Sequence, residues 1–250
     1  MLIHPTIDKL NCMRLTGMAK AFRAQLETPE IHNLPFEDRL ALIVDMEFTE
    51  RENRQLAIRL KGAKLRQNAA LEDLDTKASR GIDRALLASL ATCQWVKKRH
   101  NLLITGATGV GKTWLSCAMS HTACRQGITA VYHRLPALMQ DLDLARHDGR
   151  YKKVMRSLAK AELLILDDLG IAPMSAEQLR DLLEIIDERY QKGSVLITSQ
   201  LPVASWHESF RDPTMADAIL DRVLHNAYKI ELKGESMRKQ RTKIDATETL

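Results

Sequence analysis

Residues 106 to 113 read Gly-Ala-Thr-Gly-Val-Gly-Lys-Thr, a glycine-rich run closed by lysine and a hydroxyl residue in the spacing G-x-x-x-x-G-K-[ST]. The chemistry of such a run is anion binding. Glycine lets the backbone turn without Cβ clashes. The amide N–H groups of Gly106, Ala107, Thr108, Gly109, Val110 and Gly111 can then converge on one place, where a following helix adds the positive end of its dipole. Lys112 contributes a point charge for β- and γ-phosphates, and the Thr113 hydroxyl is an oxygen ligand for Mg²⁺. The expected ligands are ATP and magnesium.

A second constellation is LLILDDLG at 163–170, an apolar run ending in two carboxylates. In open α/β sheets ligands bind outside the carboxyl ends of the strands. Asp167 is expected to hold the magnesium, directly or through water, and Asp168 to polarise an attacking water. Aspartate is one methylene shorter than the glutamate many such ATPases carry, so slow hydrolysis, or hydrolysis completed by a partner subunit, is expected. HExxH, paired CxxC, GxSxG and GxGxxG are absent from the sequence, which removes the corresponding metalloprotease, zinc, hydrolase and dinucleotide readings. A small-molecule kinase shares the phosphate loop; the DD pair fits it poorly.

The elements that must position these residues can be read from apolar periodicity. Short runs at 101–105, 129–133, 163–166, 194–198 and 228–232 predict strands, and 112–126 and 176–191 predict helices ended by Gly127 and Gly193. Strands alternating with helices imply a parallel sheet covered on both faces. Residues 1–75 carry no strand-like run. They predict helices over 6–26, 35–50 and 51–69, with Leu40, Ile43, Val44 and Met46 on an apolar face of the second. The organisation expected is therefore a small all-α domain at 1–75, followed by an α/β P-loop NTPase domain with a five-stranded parallel sheet at 76–250. The polar end at 239–250 is expected to fray.

The whole chain carries 37 Lys and Arg against 32 Asp and Glu, a mild excess that permits nucleic-acid binding without requiring it. Four unpaired cysteines, Cys12, Cys93, Cys117 and Cys124, suggest free buried thiols in a reducing compartment. Neither a signal-peptide pattern nor a run of about 18 apolar residues occurs, so the chain is expected in the cytoplasm with no membrane contact.

The ordered series GATGVGKT, LLILDDLG, ITSQLP followed by Trp206, AILDRVLHNAYKIEL and GESMR resembles the AAA+ ATPases of the IstB type, helpers of bacterial insertion-sequence transposition, to which helicase loaders of the DnaC type are related. The resemblance is strongest over residues 100–240. It implies an ATPase that oligomerises in a ring or helix on duplex DNA and recruits or activates a cognate transposase; the alternative it leaves open is a replicative helicase loader. It implies that Gln200 stands at the first sensor position, with Thr198 and Ser199 able to share the task. Arg222 matches the arginine finger that enters a neighbouring subunit's site, and Arg238 matches the second sensor. Only 18 residues follow Leu232, so a reduced or absent lid domain is expected.

Two basic stretches, 146–160 and 51–66, each hold six Lys or Arg against one acidic residue. By its position in relatives of the initiator type, the first is expected to grip DNA through Arg150, Lys152, Lys153 and Arg156, with Tyr151 available to pack on sugar or base. Such contacts release counterions and give affinity without sequence choice. The second is expected to dock a subunit or partner. KKRH at 97–100 is read as surface, near the adenine if anything, and His100, His121, His133 and His225 as structural.

Overall fold

The computed structural model describes residues 4–74 and 81–237. The chain divides into two compact units, Met1–Ile58 and Arg59–Leu250. The expected boundary at residues 75 and 76, Arg238 and the polar end lie outside the described residues.

The first unit is helical. Helices α1 (Pro5–Cys12) and α2 (Thr16–Glu27) pair around Ile7, Leu10 and Ala19. The single helix expected over 6–26 is broken because Arg14 adopts a left-handed conformation, φ 61°. No side chain of its own caps α2; Glu47 from α3 (Phe36–Ala63) does, accepting from the N–H of Gly17 at 2.7 Å and of Met18 at 3.2 Å. That duty explains why Glu47 is buried while Leu40, Val44 and Met46, expected on the inner face, are exposed. The two helices expected over 35–69 are one, since nothing between Glu50 and Arg51 breaks the ladder.

The second unit is built on five parallel strands, β1 (Asn101–Gly106), β2 (Ala130–Arg134), β3 (Leu163–Leu169), β4 (Ser194–Ser199) and β5 (Ala227–Leu232), in the order β2-β3-β4-β1-β5. Leu102, Leu103, Ile104 and Leu163 to Leu166 are wholly buried, as strands covered on both faces require. The connections run through α4 (Arg84–Ala91), α5 (Gln94–Lys97), α6 (Lys112–Arg125), α7 (Leu135–His147), α8 (Tyr151–Lys160), α9 (Ala176–Arg189), α10 (Trp206–Ser209) and α11 (Pro213–Leu224). Parallel strands bring every carboxyl end to one edge, and β1, β3 and β4 place the two motifs and Gln200 there.

Gly127 follows α6 with φ 86°, as a capping glycine should, but at the end of α9 the left-handed residue is Gln191, φ 58°. Gly193 serves space instead. A Cβ there would stand 2.7 Å from the Arg189 guanidinium. Arg189 is buried and donates to the carbonyls of Leu158, Ala161, Glu162 and Ser194, tying α8 to β4; burial pulls its pKa down to about 10. Cys93, Cys117 and Cys124 are buried free thiols, whereas Cys12 is exposed.

Candidate nucleotide site

β1 runs into the loop that opens α6, and Gly111 caps that helix with φ 105°. The cradle leaves no room for side chains. A Cβ on Gly106 would lie 2.3 Å from the Leu232 carbonyl oxygen, and one on Gly109 would lie 2.2 Å from Ser236 Oγ. Met237 N–H donates to the Gly109 carbonyl at 2.9 Å. Lys112 is buried, its ammonium donating to the carbonyls of Gly106 at 2.7 Å and Ala107 at 2.8 Å. Charge is thus held inside the loop, facing a cleft of about 660 Å³ lined by Thr108, Gly109, Lys112, Thr113, Arg134, Asp168 and Gln200 among others.

Asp167 is the most heavily bonded group of the site. It is fully buried. It accepts from Thr113 Oγ1 at 3.0–3.1 Å, from Tyr132 Oη at 2.6 Å and from the Thr198 hydroxyl. Burial, and then the bond to Asp167, push the Tyr132 hydroxyl well above the ordinary phenol range, so Tyr132 stays a proton donor to this carboxylate. Thr113 and Asp167 therefore present two oxygens side by side. Among the described residues no group of three or more His, Cys, Asp or Glu gathers as a metal cluster. The pair fits Mg²⁺, which takes one or two protein oxygens and fills its octahedron with phosphate and water.

Asp168 points elsewhere. Its backbone is left-handed, φ 70°, where β3 shifts register between Leu166 and Leu169, and its N–H donates to Thr198 Oγ1 at 3.1 Å. Successive strand residues ordinarily face opposite ways; the irregularity turns Asp168 to the cleft, where Arg134 Nε donates to its carboxylate at 2.7 Å. Gln200 Oε1 accepts from Thr108 Oγ1 at 2.7 Å. Thr198 touches both aspartates, while the Ser199 hydroxyl turns away to the Leu169 carbonyl.

The remaining expected residues lie apart. Arg222 on α11 pairs with Asp187 of α9, at the amino end of the sheet, where Asn101 Nδ2 donates to the Arg222 and Val223 carbonyls. The length of β1, about 17 Å at ~3.3 Å per residue, separates it from the phosphate loop. KKRH is at that same end rather than near the nucleotide cleft, with His100 packed on the Tyr228 ring at 5.8 Å. On α8, Lys152, Lys153 and Arg156 are exposed, and Arg150 pairs with Asp148 at 2.5 Å. Tyr151 is engaged internally. Its hydroxyl bonds Asp181 and Glu184, both at 2.8 Å, and the Arg146 guanidinium lies 4.1 Å from its ring centre, so it is not presented for stacking.

Three residues around the site escaped the sequence reading: Arg66, Tyr132 and Arg134. Arg134 had a signal, since it ends a parallel strand at the ligand edge. Tyr132 sits on a strand read as structural filling, and nothing in the letters points Arg66 inward.

A glycine cradle at the switch from β1 to α6, facing two aspartates across β4, defines a P-loop ATPase of the AAA+ class. Likeness in fold agrees: a crystal structure of DnaI superposes with a TM-score of 0.59 over 66% of this chain and 92% of that one, at 24% identity. The sequence profile of the IstB-like ATP binding proteins matches residues 8–245. An insertion sequence ATP-binding protein of Sinorhizobium fredii is 50% identical over 239 residues, covering 96% of this chain and 98% of that one. The ATP-binding protein of insertion sequence IS21 from Pseudomonas aeruginosa is 32% identical over 236 residues, 94% of this chain and 89% of that one. The chain belongs to the IstB-like ATP-binding protein family, and with that membership come ATP binding and ATPase activity. No helix among the described residues is long and apolar enough to cross a membrane.

Proposed function

We propose that the chain is an ATP-controlled helper of insertion-sequence transposition: holding ATP, it assembles on duplex DNA in the cytoplasm, recruits or activates the transposase of its element, and comes apart as the ATP is hydrolysed. The observation that carries the reading is a built nucleotide cleft in a chain whose relatives, over 96% of its length, are ATP-binding proteins of insertion sequences.

Within the site, the amides of residues 106–111 and the Lys112 ammonium hold the phosphates. Thr113 and Asp167 hold Mg²⁺, which when bound neutralises developing charge on the triphosphate. Asp168 accepts a proton from the attacking water, and Gln200, positioned by Thr108, orients that water. Arg238 is assigned to the γ-phosphate of its own subunit. Arg222 cannot reach its own site from the far end of β1. It completes a neighbour's site, as arginine fingers do, so the working species is an oligomer.

Oligomerisation is what makes weak DNA contacts sufficient. Lys152, Lys153 and Arg156, with Arg150, offer each copy a few phosphate contacts, and repetition along the duplex multiplies them. Nucleotide between subunits stabilises the array by linkage. The helical domain at 1–75 is assigned to partner, DNA and inter-subunit contacts. Electron microscopy with duplex DNA and a slowly hydrolysed ATP analogue tests the whole reading: ordered rings or filaments are expected, absent with ADP. A chain that stays monomeric on DNA when saturated with the analogue overturns it.

A further inference from the structure

Arg66 has no part in the reaction as described. It sits in the turn that follows α3, between Ala63 and Ala69, both buried, and the backbone of Arg66 and Gln67 meets the Cys117 thiol on α6. Those contacts fix the turn against the helix that the phosphate loop opens. From this base Arg66 Nη1 comes within 3.8 Å of Asp167 Oδ2, the guanidinium reaches the Tyr132 hydroxyl, and the side chain lines the cleft beside Gly109, Lys112 and Thr113.

The partners are unequal. The Asp167 side chain is 0% exposed and that of Arg66 is 45% exposed. A carboxylate withdrawn from water needs a compensating cation. A half-exposed arginine 3.8 Å from the carboxylate, beyond hydrogen-bond length, is held by charge and by the Tyr132 hydroxyl rather than by a bond to Asp167, and has room to turn. Mg²⁺ held by Thr113 and Asp167 would take over the compensation of this carboxylate that Arg66 gives in its absence. The guanidinium is then left in the cleft among the other phosphate-directed groups, with the planar fork of donors that suits phosphate oxygens.

We propose that Arg66 is a phosphate-binding residue acting within its own subunit, neutralising Asp167 until magnesium does and then pairing with the β,γ-polyphosphate of the bound nucleotide. The inference rests on the nucleotide-site reading above.

Calorimetric titration of the full chain with Mg·ATP and with AMP tests it, using wild type, Arg66→Ala and Arg66→Lys, alongside melting curves without nucleotide in EDTA and in Mg²⁺. Arg66→Ala should weaken Mg·ATP about 10- to 50-fold and AMP by less than about twofold, with Arg66→Lys recovering part of the loss. Mg²⁺ should raise the melting temperature of Arg66→Ala more than that of wild type, because only the variant leaves Asp167 without its guanidinium. Equal losses for ATP and AMP mean that Arg66 merely secures the turn, and overturn the proposal. Undiminished Mg·ATP binding by Arg66→Ala sinks this inference alone, whereas a wild-type chain with no affinity for ATP sinks the nucleotide-site reading and this inference with it.

Discussion

If Arg222 serves the neighbouring site, two inactive variants should restore each other. Arg222→Ala keeps its own phosphate loop and Asp168 but offers no finger; Asp168→Asn keeps Arg222 but lacks its base. The geometry makes the division strict, because Arg222 lies about 17 Å from the loop along β1 and is tied to Asp187 on α9. Each variant alone should hydrolyse ATP at least ~10³-fold more slowly than wild type, the lower range for loss of an arginine finger. In an equimolar random mixture, half of the sites belong to Arg222→Ala copies, and half of those face an Asp168→Asn neighbour. About one quarter of interfaces are then complete, and the DNA-stimulated rate should recover to about a quarter of wild type. A phosphate-release assay across mixing ratios, with total protein fixed on saturating duplex DNA, should give a curve that peaks at equal parts. Activity that stays at the sum of the two variants at every ratio, or an Arg222→Ala protein as fast as wild type, refutes the shared site.

Lys112→Ala removes a buried ammonium that braces two loop carbonyls and should raise the Kd for ATP about a hundredfold, close to 2.7 kcal/mol; equilibrium titration with a fluorescent analogue reads it directly. Arg134→Ala unties Asp168 and should raise the basal hydrolysis rate measured without DNA while ATP still binds; a basal rate that does not rise would show that the pairing does not restrain the base. Lys152→Glu with Lys153→Glu should weaken duplex binding and make log Kd less steep in log salt, by about two for two lost phosphate contacts, with ATP affinity intact. Gly193→Ala drives a Cβ against the buried Arg189 guanidinium and the Glu162 carbonyl, and should cost about 1–3 kcal/mol, read as a fall of roughly 2–10 °C in Tm.

How much of this was visible in the letters depends on whether a residue is defined by its neighbours along the chain or by contacts across it. The phosphate loop, the five strands and the carboxyl-edge placement of Asp167 follow from local pattern, and observed strand ends differ from the expected ones by only a few residues at most. The break at Arg14 has no proline or glycine at the turn itself, and the burial of Glu47 follows from α2 needing a cap, a fact of tertiary structure. Gly193 read as a helix stop because glycine usually is one; the space it leaves is instead filled by Arg189 from the preceding turn. Arg66 is the sharpest case. One basic residue among six in 51–66 looked like surface charge, and only the fold carries it to Asp167.

The separation of Arg222 from the cleft also constrains how copies meet. A two-fold symmetric contact, in which each copy's donor meets the other's acceptor, closes as a pair and leaves no free site for a third copy. The repeating array proposed above instead requires head-to-tail contacts, in which each copy would give an arginine to one neighbour and receive one from the other. Head-to-tail contacts close into rings or run on as helices. In the proposed array on a duplex, repetition would set α8 at regular intervals, so that the exposed Lys152 and Lys153 of successive copies would follow the phosphate backbone. Hydrolysis at any one interface of that array would then weaken both a protein contact and the multiplied DNA contacts that depend on it. On the proposed reading disassembly would be cooperative without any change in a single copy's affinity for DNA, and the slow step expected of the short Asp168 carboxylate would set the lifetime of the array.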